Sequence, residues 1–293
     1  MRGDPFDLGD PGAYRAWREA KLAGYPRRVE ELVVEVRNPR ALSAAERDAI
    51  RERLRRANMA VYASRSGSDP DKGIPRALGL QFGLKRLDSN GLADDDAITS
   101  VAVRDTAPRG EFIPYTTRAI RWHTDGYYNP PQRRIRAMAL HCVRSAAQGG
   151  DTTLLDHEIA YLLLRDANPD WVRALMRPDA MTIPERADGA EVRREAQSGP
   201  VFSLDGDDGT LHMRYTARTV SICWAGDPDT AAATRFMAQS FTGEAPFALR
   251  LKLEPGMGII CNNVLHTRAA FCDDPERPRL LYRARYHDRA RVA

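Results

Sequence analysis

The sequence predicts a mainly β fold with flanking helices, an antiparallel sandwich or jelly roll, and three observations carry that reading. Short strand-like runs recur at 137–143, 152–155, 201–204, 211–215, 248–253, 258–261 and 280–286. Turn-forming stretches separate them: Gly149-Gly150, Asp205-Gly206-Asp207-Asp208-Gly209 and Pro255-Gly256. Many short strands punctuated in this way point to an all-β sandwich or jelly roll. No period of 20–50 residues recurs, which leaves out solenoids and propellers.

The first third is a mixture of helix and strand. Residues 13–22 read as a helix, and 32–36 as a strand closed by Asn38-Pro39. Ser43-Ala44-Ala45-Glu46 is a capping box opening a helix whose Ile50, Leu54 and Ala57 share one face. Arg51, Arg53, Arg55 and Arg56 then form its solvated side, and 59–63 returns as a strand. Two helical insertions interrupt the later strands, one over 158–176. The other starts at Asp227-Pro228, a cap followed by proline at the first helical position, with Phe236 and Met237 on its apolar side. No composition shift marks a linker, so a single domain over 1–293 is expected, with a mixed α/β part (1–110) and a β core with helical insertions (111–293).

Composition bounds the function. With 293 residues, 43% hydrophobic and 29% charged, the chain can bury a sizeable core. No stretch approaches the ~18 consecutive apolar residues of a membrane span, which excludes an integral membrane protein. The first residues carry no apolar run, and the four cysteines (Cys142, Cys223, Cys261, Cys272) form no CxxC pair. A cytoplasmic protein without a disulfide framework or zinc ribbon is therefore expected. The net charge is +4, and all but four of the 44 basic residues are arginine. They are interleaved with 40 acidic residues rather than gathered into a stripe, so no nucleic-acid partner is expected.

Chemistry enters at His123-Thr124-Asp125. In an extended strand, residues i and i+2 point to the same face, so one imidazole and one carboxylate can meet a single ion. Alone this is a weak signal. Asn262-Asn263-Val264-Leu265-His266, directly after a predicted strand, supplies a second imidazole. Two histidines and a carboxylate on one side of a metal leave three positions open, the arrangement of non-haem Fe(II) oxygenases. Arg279 follows His266 by 13 residues, and a guanidinium there suits a bidentate carboxylate clamp. Gly149-Gly150-Asp151-Thr152 adds a tight turn entering a strand with a hydroxyl at its start. Among the other histidines, His141 reads as packed and hydrogen-bonded, and His157, His212 and His287 as surface residues or neighbours of the site. Cys261 and Cys272 flank His266, and a thiolate from either would tilt the site towards zinc.

Taken together, Tyr115-Thr116-Thr117, Trp122-His123-Thr124-Asp125, Leu140-His141-Cys142, Gly149-Gly150-Asp151-Thr152, Asn262 to His266 and Arg279-Leu280-Leu281-Tyr282-Arg283 resemble one family in order and spacing. It is the clavaminate synthase-like group of Fe(II)- and 2-oxoglutarate-dependent dioxygenases, the taurine dioxygenase and γ-butyrobetaine hydroxylase family. The resemblance runs from about Tyr115 to Tyr286. It implies His123, Asp125 and His266 as iron ligands, Arg279 and Thr152 as partners of the 2-oxoglutarate C5 carboxylate, and Arg283 as a second arginine near the cosubstrate. The implied fold is a double-stranded β-helix (jelly roll) with flanking helices. The implied reaction activates O2 at iron, decarboxylates 2-oxoglutarate to succinate and CO2, and hydroxylates an unactivated C–H. Aspartate at position 125 disfavours halogenation, while desaturation, epoxidation and ring closure use the same ligands. Homodimers and homotetramers are common in the family.

The substrate is less legible. The resemblance points to Tyr115 as a wall of the substrate pocket, while the other aromatics of a trimethylammonium cage do not carry over. Arg285 stands where one of them would align, and beside a quaternary ammonium it would repel. Arg283 and Arg285 instead favour a small metabolite bearing carboxylate, sulfonate or phosphate, and Tyr127, Tyr128 and Asn129 are candidates for the pocket mouth. Residues 184–200, 64–73 and 106–110 are candidate lids. Two rival readings are a dioxygenase acting on a peptide or carrier-bound side chain and a catalytically silent jelly-roll binding protein. The complete ligand set, with Arg279 and Thr152 both present, argues against the second.

Overall fold

The structure, a computed structural model, describes residues 3–89, 94–104, 110, 112–188, 191–206, 208–220, 222–242 and 245–292. Its helices are α1 (Pro11–Gly24), α2 (Ala44–Ala57), α3 (Gly73–Leu80), α4 (His157–Ala167), α5 (Pro169–Leu175) and α6 (Pro228–Ser240). The first ten strands are β1 (Val33–Val36), β2 (Met59–Ser64), β3 (Ile98–Val101), β4 (Ile120–His123), β5 (Ala137–Arg144), β6 (Gln148–Gly149), β7 (Thr152–Leu155), β8 (Met181–Ile183), β9 (Arg186–Asp188) and β10 (Glu191–Arg194). The others are β11 (Gln197–Gly199), β12 (Phe202–Leu204), β13 (Leu211–Met213), β14 (Cys223–Trp224), β15 (Leu249–Leu251), β16 (Met257–Cys261), β17 (Leu265–Arg268), β18 (Phe271–Cys272) and β19 (Leu280–Tyr286). Helix and strand share the chain, and the described strands lie in several sheets of which none closes into a barrel. No helix among the described residues is long and apolar enough to cross a membrane.

By its contacts the chain forms two compact units, and their division passes through β4, between Arg121 and Trp122. The larger unit (26–121, 135–154, 249–293) holds a six-stranded sheet in the order β1-β2-β16-β5-β19-β3. β1 and β2 run parallel; the other pairs are antiparallel. The capping box forms as expected: the Ser43 side chain accepts from the Glu46 N–H, and Glu46 reaches back to Ser43. It opens α2, whose Ile50, Leu54 and Ala57 are buried. Ile50 and Leu54 join a core with Tyr62, Leu78, Ala137, Ala139, Ile260, Tyr282, Ala284 and Tyr286. Alternation along β19 then turns Leu281, Arg283 and Arg285 to the opposite face of that sheet. A four-stranded sheet follows the order β15-β7-β17-β4, and β6 pairs with β18. These sheets carry the functional residues.

In the six-stranded sheet, Tyr62 Oη and His141 Nδ1 are 2.9 Å apart with their rings parallel to within 4°. Burial pushes the His141 imidazole down to about 4, so it stays neutral and packed, as expected. Gly258 makes room for this pair. A Cβ there would stand 2.3 Å from both the Leu140 carbonyl oxygen and Tyr62 Oη. Gly258→Ala is expected to destabilise the protein by about 3 kcal/mol through overpacking, read as a lower urea midpoint at constant slope.

The smaller unit (1–25, 122–134, 155–248) contains α1, α4, α5, α6 and the short sheets β11-β8-β14, β9-β10 and β12-β13. Where one helix was expected over 158–176 there are two. Asn168 is extended at φ −164°, its side chain accepts from the Asp170 N–H, and Pro169 starts the second helix. A proline there cannot continue the first helix's hydrogen bonds. α6 begins as expected, with Asp227 accepting from the Thr230 N–H; Met237 is buried and Phe236 lies 5.5 Å from the Trp171 ring. Lys21 of α1 is buried, its ammonium 2.5 Å from Asp156 and 2.6 Å from Glu158.

The expected loop over 184–200 instead carries the β9–β10 hairpin and β11. The segment 64–73 is held by Arg40, which lies 2.7 Å from Asp69 and 2.6 Å from Asp71. Residues 106–109 of the third candidate lid lie outside the described residues.

Candidate metal centre and cosubstrate pocket

β4 ends at His123, and Thr124 is pinned next to it. The Thr124 N–H donates to the Tyr215 carbonyl and Thr124 Oγ1 accepts from the Tyr215 N–H, both at 3.0 Å. The Ala217 N–H donates to the Trp122 carbonyl at 2.7 Å. With Thr124 turned towards Tyr215, strand alternation presents His123 and Asp125 together on the other side. Gly126, at φ +68°, then turns the chain away. Asp125 is buried and His123 half-buried.

β16 reaches His266 through a turn in which Asn263 adopts φ +51°. The Asn263 side-chain amide donates to the Ile135 carbonyl at 2.7 Å, and Asn262 Oδ1 accepts from the Ala290 N–H at 3.0 Å. His266 Nδ1 lies 3.0 Å from the Val264 carbonyl oxygen. Since a carbonyl only accepts, Nδ1 carries the proton and Nε2 keeps its lone pair for a metal. One ligand atom each from His123, Asp125 and His266 lies within 4.8 Å of the others. Two neutral imidazoles and a carboxylate are a donor set that suits Fe(II). Cys261 is buried and Cys272 exposed, and neither belongs to this group, so the thiolate alternative finds no support.

Arg279 fits a cosubstrate carboxylate for a reason visible in its surroundings. It is buried, with its guanidinium carbon 5.1 Å from the Phe271 ring centre. Its backbone N–H donates to Asp273 at 2.7 Å, but among the described residues nothing accepts a hydrogen bond from its guanidinium. Burial draws its pKa down, and a buried guanidinium so placed could hold an anion. Its Nε stands 3.7 Å from where a Gly150 Cβ would be; Gly149 and Gly150 have φ +70° and +77°, and buried Thr152 opens β7 two residues later.

Arg268, two residues after His266, was missed by the motif reading. Its buried guanidinium donates to the carbonyls of Ile113, Pro114, Thr116 and Arg118 at 3.3, 2.9, 2.6 and 2.5 Å. Burial, and then the charges of Arg279 and Arg283, push it down to about 9, so three guanidiniums share this region. The signal available was spacing, since Arg268 stands at i+2 from a candidate ligand in a strand.

Other expected positions divide. Arg285 is 2% exposed and its Nη2 lies 2.5 Å from buried Asp88. The sequence concealed this buried ion pair because Asp88 is 197 residues away. Tyr115 is buried in the turn Ile113–Tyr115, the turn whose carbonyls collar Arg268. Tyr127 stands edge-on to His123 with ring centres 6.5 Å apart. It also lines a pocket with Asp125, Asn129, Arg134, Ser203 and His212. His157 is buried rather than at the surface, with Nε2 3.0 Å from the Leu211 carbonyl oxygen.

The family model described as "Taurine catabolism dioxygenase TauD, TfdA family" matches residues 21–285. The chain belongs to this family. The family's description is that of a dioxygenase, and the group His123, Asp125 and His266 could hold the metal such an enzyme needs. This TauD/TfdA chain is 32% identical over 183 residues to a uridine-5'-phosphate dioxygenase of Amycolatopsis sp, covering 61% of this chain and 64% of that protein. It is 31% identical over 196 residues to a uridine-5'-phosphate dioxygenase of Streptomyces sp, covering 65% of this chain and 69% of that one. The alignment thus spans just under two thirds of the first relative's length. Among solved structures, AAD-2 in complex with Mn(II) and N-oxalylglycine shares the fold at a TM-score of 0.61 and 15% identity, over 89% of this chain and 97% of that one.

Proposed function

We propose that this chain is an Fe(II)- and 2-oxoglutarate-dependent dioxygenase that holds Fe(II) with His123, Asp125 and His266 and hydroxylates an unactivated C–H of a small, phosphate-bearing metabolite of the nucleotide class. The observation that carries the reading is the meeting of those three ligand atoms within 4.8 Å, with the His266 tautomer set by Val264. The names of the two uridine-5'-phosphate dioxygenase relatives support the substrate class. A jelly-roll core is supported by the antiparallel sheets and the fold neighbour. Action as one catalytic domain over 1–293 is supported by a family match that runs through both units.

The bound iron would supply O2 activation coupled to decarboxylation of 2-oxoglutarate. The chain's own residues do the positioning. Asp125 and the two imidazoles leave part of the metal's coordination sphere open for cosubstrate and gas. Arg279 takes the far carboxylate of 2-oxoglutarate in a paired, charge-assisted hydrogen bond, with Thr152 donating its hydroxyl and Arg283 adding positive charge nearby. Tyr127 walls the substrate side beside His123.

The test is anaerobic addition of Fe(II) and 2-oxoglutarate, watching for the weak visible metal-to-ligand charge-transfer band. The wild-type protein is expected to develop it and His266→Ala to lose it. A wild type that binds iron without the band would overturn the ligand assignment.

A further inference from the structure

Arginine in this protein shows two contrasting uses. Arg214 spends most of its donors: Nε donates to the Tyr127 carbonyl at 2.7 Å, and its terminal nitrogens donate to Met181, Gly199 and Gln197 carbonyls at 2.9, 3.3 and 2.6 Å. It is a structural brace that fixes the backbone of Tyr127. Arg194 and Arg218 are different. Among the described residues Arg194 makes one side-chain hydrogen bond, to the Pro184 carbonyl at 2.7 Å, and its buried Nε has no partner. Arg218 is exposed and makes one, donating to Tyr127 Oη at 3.2 Å. Each guanidinium has five N–H donors, so most of their capacity is unspent.

Both gather on one aromatic pair. The Tyr127 and Tyr128 rings are edge-to-face at 5.2 Å, the Arg194 guanidinium carbon is 5.8 Å from the Tyr128 ring centre, and Tyr127 stands edge-on to His123. Arg186, on the neighbouring strand of the hairpin, is near as well. Burial draws the Arg194 pKa down; Tyr127 and Tyr128 oppose this, and the charges of Arg186 and Arg218 add to it. Bringing guanidiniums together in a half-buried place costs free energy that a bound anion returns.

We propose that Arg194 and Arg218, with Arg186, form a cradle on the Tyr127–Tyr128 pair that binds the phosphate monoester of the substrate. The assignment deepens the proposed function and rests on it, because the cradle's ring Tyr127 touches the candidate ligand His123. A phosphate monoester matches better than a single carboxylate. It carries close to two negative charges and three acceptor oxygens, enough to engage more than one guanidinium fork. The β9–β10 hairpin, which supplies Arg186 and Arg194, thereby acquires a role in selecting the anionic end of the substrate.

The deciding experiment is anaerobic calorimetric titration of the Fe(II)- and 2-oxoglutarate-loaded enzyme with uridine 5'-phosphate, uridine and inorganic phosphate. Wild type is expected to prefer uridine 5'-phosphate over uridine by more than about tenfold, and to lose that preference as salt is raised. Arg218→Gln and Arg194→Gln are each expected to weaken the nucleotide by about tenfold while leaving uridine unchanged, with Arg194→Lys intermediate. Equal binding of nucleotide and nucleoside by the wild type overturns the cradle. So does a phosphate preference that survives both glutamine variants, or the absence of any binding by uridine 5'-phosphate and inorganic phosphate. Arg218 is exposed, so its variant folds even if Arg194→Gln does not. The charge-transfer band, read in the same samples, reports the metal assignment separately. Its presence without a phosphate preference sinks the cradle alone, and its absence sinks the iron reading while the titrations still decide the cradle.

Discussion

Asp125→Ala is expected to cut substrate hydroxylation by more than about a thousandfold, or ~4 kcal/mol of transition-state stabilisation. The carboxylate is buried within 4.8 Å of both imidazoles and is the anionic member of the triad. Its removal leaves two neutral ligands and an uncompensated dication, so iron affinity falls together with turnover. The stretch around it is held by backbone bonds from Thr124 and Ala217 and by the Thr124 hydroxyl, none of which uses the Asp125 side chain. The fold should therefore survive, seen as an unchanged circular dichroism spectrum and a loss of bound iron. Unaltered turnover would remove Asp125 from the metal assignment.

Arg279→Gln is expected to act on the cosubstrate alone. Losing a paired, charge-assisted contact costs about 3 kcal/mol, so the 2-oxoglutarate requirement should rise about a hundredfold while iron stays bound. The substitution also deletes a buried charge whose guanidinium has no acceptor among the described residues, so stability should hold or increase slightly. A structural arginine would behave in the opposite way: its loss would lower stability and leave the 2-oxoglutarate requirement unchanged. Steady-state kinetics against 2-oxoglutarate, with a urea melt of the same variant, separate the two. An unchanged requirement would shift attention to Arg283.

Much of the local structure was legible because its causes are local. Ser43 and Glu46 cap α2 across three residues, Asp227 and Pro228 start α6, and the run 152–155 is β7. The misses share the opposite property. A helix over 158–176 looked continuous until the Asn168 cap and Pro169 divided it. The 184–200 segment, polar and charged, read as a loop because its short strands depend on partners rather than on their own apolar alternation. The arginines were hardest to read, since sequence gives their charge and not their company.

The sequence by itself determined the chemistry of the metal motif. His123 and Asp125 are two residues apart in an extended segment, and strand geometry alone sends both to one side. It also determined the family, through motifs whose order survives without any coordinates. Only the tertiary structure decided what surrounds each arginine. Arg279, Arg283 and Arg285 all lie at odd positions approaching and along β19, yet Arg285 is neutralised by Asp88 while among the described residues the Arg279 guanidinium meets no acceptor. Arg214 and Arg268 are spent on carbonyls, whereas Arg194 and Arg218 keep most of their donors. The physical reason is that a guanidinium is the same donor fork at every position, and its role is set by which acceptors the fold brings within about 3 Å of it.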